Sequence, residues 1–257
     1  MTLNADFKSR LIGRELLLGA FIKTPHPIIV DVMGRYFDFL VLDAEHAPFD
    51  RNALDIGIIT GLSVGCPILV RVASHDPSTI LNVLDCGAAG IMAPHVVSVE
   101  QATALARSTQ YVSGGRGLAG TTRAAGYGAR SLTQHIEISE DEVSLICQIE
   151  DVKGAELAAE IAAVDGVDAL FVGRTDLAQS IGTREPSDPR IHKLCSEVIG
   201  VKAVATGLYC TGAEDANQWS HAGATLLVVG SEHSLMIEGA HALREKIDSQ
   251  IEVANKG

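Results

Sequence analysis

Glu150 and Asp176 carry the strongest chemical signal in the chain. Each lies at the end of an apolar run, SLICQIE (144–150) and ALFVGRTDL (169–177), and 26 residues separate them, about one βα unit. That spacing predicts equal heights on neighbouring strands, whose axes lie about 4.8 Å apart. Two carboxylates so close repel unless a proton or a cation sits between them. Oxygen ligands that neutralise two charges suit a hard divalent ion. The competing reading is a pair of solvated carboxylates at strand ends.

Other ionisable residues gather at the same kind of position. Arg71 ends PILVRVA, where a guanidinium cannot lose its proton and must meet an anion. It could stabilise a negative oxygen on a substrate, or form a structural ion pair, for instance with Glu45. His46 follows two acids in LDAEH and can exchange a proton near neutral pH, with Asp43 or Asp85 as the carboxylate that fixes its tautomer. The alternative for His46 is structural. His95 also ends an apolar run and reads equally well as a pocket wall.

Eight short aliphatic runs, at 15–22, 37–45, 67–73, 90–96, 144–150, 169–177, 203–210 and 225–232, place these residues. Each is too short for a globular helix and is separated from the next mostly by helical patterns. DPSTILNVLDCG (76–87) opens on an Asp–Pro cap and ends at Gly; SVEQATALARST (98–109) and KGAELAAEIAAV (153–164) are similar. Alternating βα units, eight in number and 257 residues long, predict one (β/α)₈ TIM barrel over 1–257. A doubly wound open sheet fits less well, because no GxGxxG follows the first run. The fold expects chemistry at the C-terminal ends of strands, where the polar residues lie.

One segment breaks the cadence. Residues 111–143, with Gly114-Gly115-Arg116-Gly117 near the start, predict a long irregular connection that serves as a phosphate-wrapping loop or a flexible lid. Trp219 reads as packing.

Composition narrows the function further. Aromatics are 4% and hydrophobic residues 47%, so the core must be aliphatic, as a buried parallel sheet requires. A net charge of −12 without any basic run argues against nucleic acid and anionic membranes. Five scattered cysteines without CxxC spacing predict inert core residues, not disulfides or a zinc ribbon. With no apolar leader and no run of the ~18 residues a membrane span needs, a soluble cytoplasmic protein is expected.

Taken together, LDAEHAP (42–48), LVRV (69–72), LDCGAAGIMAP (84–94), GGRG (114–117), QIE (148–150) and VDALFVGRTDLA (167–178) resemble the HpcH/HpaI aldolases, the metal-dependent pyruvate aldolases. The pieces fall in the family's order and span most of the chain. The resemblance implies a (β/α)₈ barrel whose last helix is exchanged with a partner subunit, in a homo-oligomer, commonly a hexamer (a trimer of dimers). It implies that Glu150 and Asp176 bind Mg²⁺, Mn²⁺ or Co²⁺, which holds the carboxylate and keto oxygens of pyruvate. Gln148 would touch the substrate, the backbone at Gly173 its carboxylate, and Arg71 the keto oxygen as it becomes an enolate. His46, with Asp43 and Asp85, would serve as acid/base apparatus. Two departures bear on the aldehyde partner: Arg174 and Tyr111-Val112-Ser113 stand where the family often has proline, and both would line the region where the aldehyde sits.

The expected reaction is reversible cleavage of a 4-hydroxy-2-oxo acid to pyruvate, or hydroxypyruvate, and an aldehyde. No lysine falls inside a predicted strand, since Lys23 follows the first and Lys202 precedes the seventh, which weakens an imine route. The alternatives are a citryl- or malyl-type CoA-ester lyase, a transferase or isomerase using an enolpyruvate, and a non-catalytic keto-acid-binding barrel. The CoA reading lacks a basic patch for the nucleotide.

Overall fold

The computed structural model describes residues 1–185 and 188–254. Eight parallel strands close into a barrel in chain order: β1 (Leu17–Ile22), β2 (Phe39–Asp43), β3 (Ile68–Arg71), β4 (Gly90–Ala93), β5 (Ser144–Ile149), β6 (Ala169–Val172), β7 (Ala205–Cys210) and β8 (Leu226–Ser231). The β1–β8 pairing, Leu17 against Leu226, completes the ring. The strands are fully buried or nearly so, which explains why they read as unbroken aliphatic runs and not as alternating ones.

The helices are α1 (Leu3–Ile12), α2 (Pro27–Met33), α3 (Arg51–Val64), α4 (Pro77–Asp85), α5 (Val99–Thr109), α6 (Leu132–Glu142), α7 (Val152–Glu156), α8 (Ala158–Ala162), α9 (Arg174–Ser180), α10 (Pro189–Ile199), α11 (Ala213–Ala222) and α12 (Glu232–Ala254). Asp76 caps α4 with proline behind it, and Ser98 caps α5. The expected helix at 153–164 is split into α7 and α8.

Two apolar layers hold the barrel. The outer one packs strands against helices; the inner one, with Leu17, Phe39, Val41, Leu69, Ile146 and Phe171, fills the barrel. Phe7 of α1 plugs the end where the strands begin, its ring 5.5 Å from that of Phe39. Phe39 fits because Gly19 stands opposite: a Cβ there would lie 2.5 Å from its Cε2. All five cysteines are buried and free, and burial pushes the thiols of Cys66 and Cys147 up to about 12. Among the described residues, no helix is long and apolar enough to cross a membrane.

Two expectations change. The 111–143 segment contains α6, started by a Ser131–Gln134 capping box, so the irregular part is shorter than predicted. The segment follows α5. Helices run back down the outside of the barrel, so Tyr111-Val112-Ser113 lies toward the end where strands begin. α12 differs from the other helices: over its 23 residues it leaves Leu235, Met236, Ile237, Leu243, Ile247 and Ile251 exposed.

Candidate active site

Period-two alternation aims Asp43, Arg71 and Gln148 inward, two residues beyond Val41, Leu69 and Ile146 of the inner layer. They meet at the C-terminal end of the strands, in a cavity of about 1050 Å³. Phe21, Lys23, His46, Arg71, Gln148 and Asp176 are among its lining residues. This volume accommodates a small keto acid together with a second molecule.

The Asp43 carboxylate, 0% exposed, accepts from Arg71 Nε at 2.9 Å and Arg71 Nη2 at 2.8 Å. It also accepts the His46 backbone N–H at 3.2 Å and lies 3.4 Å from Lys23 Nζ. Burial alone would raise this carboxyl. The Arg71 bonds and charge, with His46 N–H and Lys23, outweigh it and hold Asp43 below its ordinary range. Arg71 further lies 3.3 Å from Glu45 Oε2 and sits over the Phe21 ring, 4.6 Å from its centroid. The guanidinium is therefore fixed in orientation before any substrate arrives.

Glu150 follows β5 and is 3% exposed. One oxygen accepts the His95 backbone N–H at 2.8 Å and faces His95 Nδ1 at 3.0 Å; the other accepts the Gln148 side-chain amide. Burial pushes the Glu150 carboxyl up, the charges of Asp176 and Glu45 add to this, and the His95 groups pull the other way. Gly173 stands opposite because nothing larger fits: an added Cβ would lie 2.8 Å from Glu150 Cβ and 2.9 Å from Gln148 Nε2.

Asp176 is not level with Glu150. The β5–β6 register pairs Ile149 with Val172, so Gly173 is the residue opposite Glu150, and Asp176 lies in the first turn of α9. The strand ends at Val172, five residues before the run 169–177 does, because the residues from Arg174 onward form α9. Gly173 N–H is already donated to Ile149 O, so backbone contact there would come from the amides that follow.

The acid/base grouping also differs from expectation. The His46 ring is half exposed, its Nε2 3.7 Å from Glu45 Oε2, while Asp43 touches only its backbone. Asp85 ends α4, which returns toward the end where the strands begin, and there Arg116 Nη2 donates to it at 2.7 Å. Within one chain the fold separates Asp85 from His46. Arg116 belongs to the glycine loop, and the Gly115 and Arg116 N–H groups bond Val112 O and Gln110 O, so neither is free to wrap a phosphate.

Glu45, His95 and Glu150 each offer a ligand atom, and these atoms lie within 4.8 Å of one another. Gln148 Oε1, buried beside Glu150, has no hydrogen-bond partner among the described residues. An orphaned acceptor beside clustered carboxylates fits a site that takes a cation or a polar ligand.

The chain matches the family described as HpcH/HpaI aldolase/citrate lyase over residues 17–245. It belongs to that family. A hydroxypyruvate/pyruvate aldolase of Paraburkholderia phytofirmans is 28% identical over 260 residues, covering 96% of this chain and 99% of its own. A 5-keto-4-deoxy-D-glucarate aldolase of Klebsiella pneumoniae is 31% identical over 232 residues, 88% of this chain and 90% of that one. The crystal structure of an HpcH/HpaI aldolase/citrate lyase family protein from Burkholderia cenocepacia matches with a TM-score of 0.90 at 28% identity, covering 95% of this chain and 99% of that chain.

In this HpcH/HpaI member the two departures part company. Arg174 lines the cavity, where Asp215 takes both its terminal nitrogens and Tyr209 O accepts from Nη2 at 2.6 Å. Burial would raise the Asp215 carboxyl, but Arg174 and the Thr211 N–H hold it down. Tyr111-Val112-Ser113 is not among the cavity residues. Lys23, Tyr209 and Asp215 line the cavity without having been singled out from sequence as site residues. Lys23 and Tyr209 carried a detectable signal, since both adjoin a strand's C-terminal end.

Proposed function

We propose that the chain is a divalent-metal-dependent aldolase that reversibly cleaves 4-hydroxy-2-oxo acids to pyruvate, or hydroxypyruvate, and an aldehyde. The observation that carries this reading is the buried Arg71, locked by Asp43 and facing a cavity shared with Gln148 and Asp176, beside Glu150. Glu150 and Asp176 would hold the cation, Mg²⁺, Mn²⁺ or Co²⁺. When bound, such an ion supplies Lewis-acid polarisation of the keto acid.

The side chains do the rest. Carbon–carbon cleavage leaves negative charge that is tolerable only on oxygen, and Arg71 is preorganised to hold that oxygen. Gln148 positions the keto acid, with backbone amides at and after Gly173 facing its carboxylate. His46, exposed to the cavity, moves the proton to and from the hydroxyl oxygen of the substrate. Asp43 acts by fixing Arg71 and the His46 backbone. A part for Asp85 requires that it come from another subunit, since α4 carries it away from His46 in its own chain.

The exposed apolar residues of α12 support a homo-oligomer in which this helix packs on a partner, a hexamer being the family's pattern. Sedimentation at micromolar concentration tests that. The reading places the enzyme in the cytoplasm.

Lys23 sharpens the imine alternative, because it does line the cavity. Its Nζ lies 3.4 Å from the Asp43 carboxylate, a partner it would have to leave to attack a carbonyl. Pyruvate and hydroxypyruvate are screened against acidic, sugar-derived and apolar aldehydes with several metals. Aldol adducts that vanish with EDTA, return with a divalent ion and survive borohydride are expected. Trapping of pyruvate on Lys23 by borohydride would overturn the mechanism.

A further inference from the structure

Glu45, His95 and Glu150 each bring a ligand atom within 4.8 Å of the others, and Asp176 lines the adjoining cavity. Arg71 is already committed to Asp43 through two hydrogen bonds. A divalent cation between these groups would neutralise the two glutamates.

The His95 ring stands between two of these acids. Nδ1 lies 3.0 Å from Glu150 Oε1, and Nε2 lies 3.4 Å from Glu45 Oε1. Adjacent donors around an octahedral ion with bonds of about 2.1 Å are separated by roughly 3.0 Å, so the Nδ1–Oε1 separation is that of two neighbouring ligands. The residue also adopts φ = 53°, in the left-handed region where a histidine is uncommon, and this turns its N–H toward the same Glu150 oxygen. Independently, Gln148 is 2% exposed, bonds Glu150 through Nε2, and leaves Oε1 without a partner among the described residues.

We infer that His95 is a protein ligand of the cation through Nδ1, while Glu45 receives the proton on Nε2. Resting on the metal-dependent reading above, this makes the site a mixed nitrogen–oxygen one. Glu45 is then not a ligand but the carboxylate that fixes the tautomer, and is itself steadied by Arg71 Nε at 3.3 Å. Imidazole favours Co²⁺ and Zn²⁺ over Mg²⁺, so the chain should discriminate against magnesium more than an all-carboxylate site would.

The test is metal binding to the full-length, chelator-stripped protein, without substrate. Pulsed EPR of substoichiometric Mn²⁺ should show the ¹⁴N coupling of a bound imidazole. His95→Asn, which tolerates the left-handed backbone, should abolish that coupling, and His46→Asn should not. Chelator competition should show Co²⁺ affinity falling at least 10-fold in H95N and about 10- to 100-fold in Glu45→Gln. Mg²⁺ affinity should change by less than 3-fold in H95N. A coupling that persists in H95N, or bound Mn²⁺ with no nitrogen coupling in the parent protein, overturns the assignment and leaves the aldolase reading intact. Failure of the parent protein to bind any of Mn²⁺, Co²⁺ and Mg²⁺ would overturn both. Circular dichroism of the three variants separates lost binding from lost fold.

Discussion

Replacing Arg71 with Met separates its structural from its chemical work. The guanidinium is the principal partner of an Asp43 carboxylate that is 0% exposed, through bonds of 2.9 and 2.8 Å. Without it, Asp43 must stay charged in a dry site or bind a proton. Protonation at pH 7 from an ordinary value of 3.8 costs roughly 4 kcal/mol, which caps the damage. Lys23, 3.4 Å away, relieves part of it, so R71M should lose about 3 kcal/mol. For a chain of this size that lowers Tm by about 6–12 °C. Adding Asp43→Asn removes the orphaned charge, so D43N/R71M should regain about 2 kcal/mol of this. Activity should not follow: losing the group that holds the enolate oxygen costs on the order of 10²–10³ in kcat, in the single and the double variant alike. Thermal melts and aldol cleavage on the same preparations decide it. A Tm in R71M within 2 °C of the parent, or a double variant that regains activity, would refute the reasoning.

Gly173→Ala should keep the fold but displace Glu150 and Gln148, because the new methyl carbon would lie 2.8 Å from Glu150 Cβ; overpacking of about 1–3 kcal/mol is expected, with metal affinity falling at least 10-fold by chelator competition. Asp215→Asn frees Arg174 on the cavity wall, so KM for the aldehyde should change several-fold while KM for pyruvate stays put; equal shifts in both would count against a role confined to the aldehyde side. Acid stability is set by Asp43, Asp55 and Asp215, whose carboxyls are all held below 3.8 by Arg71, Arg123 and Arg174. Carboxyls depressed on folding stabilise above their unfolded values and lose that contribution as pH falls through the folded ones. Urea midpoints should therefore decline below about pH 4, and D215N should flatten the decline.

Much of this was legible in the sequence, and each failure has its own cause. Strand cadence found all eight strands because a doubly covered parallel sheet leaves unbroken aliphatic runs. Asp176 was misplaced because Gly173-Arg174-Thr175-Asp176 sits between ALFV and Leu177-Ala178 with no side-chain cap to mark where α9 begins. Where Asp85 and the glycine loop lie relative to the cavity was not legible, because both come at or after the end of a helix, which runs away from the cavity within its own chain. Arg71 was readable as a cation needing an anion, but whether Asp43 or Glu45 supplied it depended on strand register. His95 gained importance only through its backbone conformation and its two facing carboxylates, which no spacing encodes.

Enolate formation under metal control is the step on which the proposed activity depends. Deuterium incorporation at C3 of pyruvate, followed by proton NMR without any aldehyde, isolates that step. Exchange should be fast with a divalent ion, absent after EDTA, and lost in Arg71→Met. Exchange that continues in the chelated protein, or that depends on Lys23 and not on metal, would contradict the central claim.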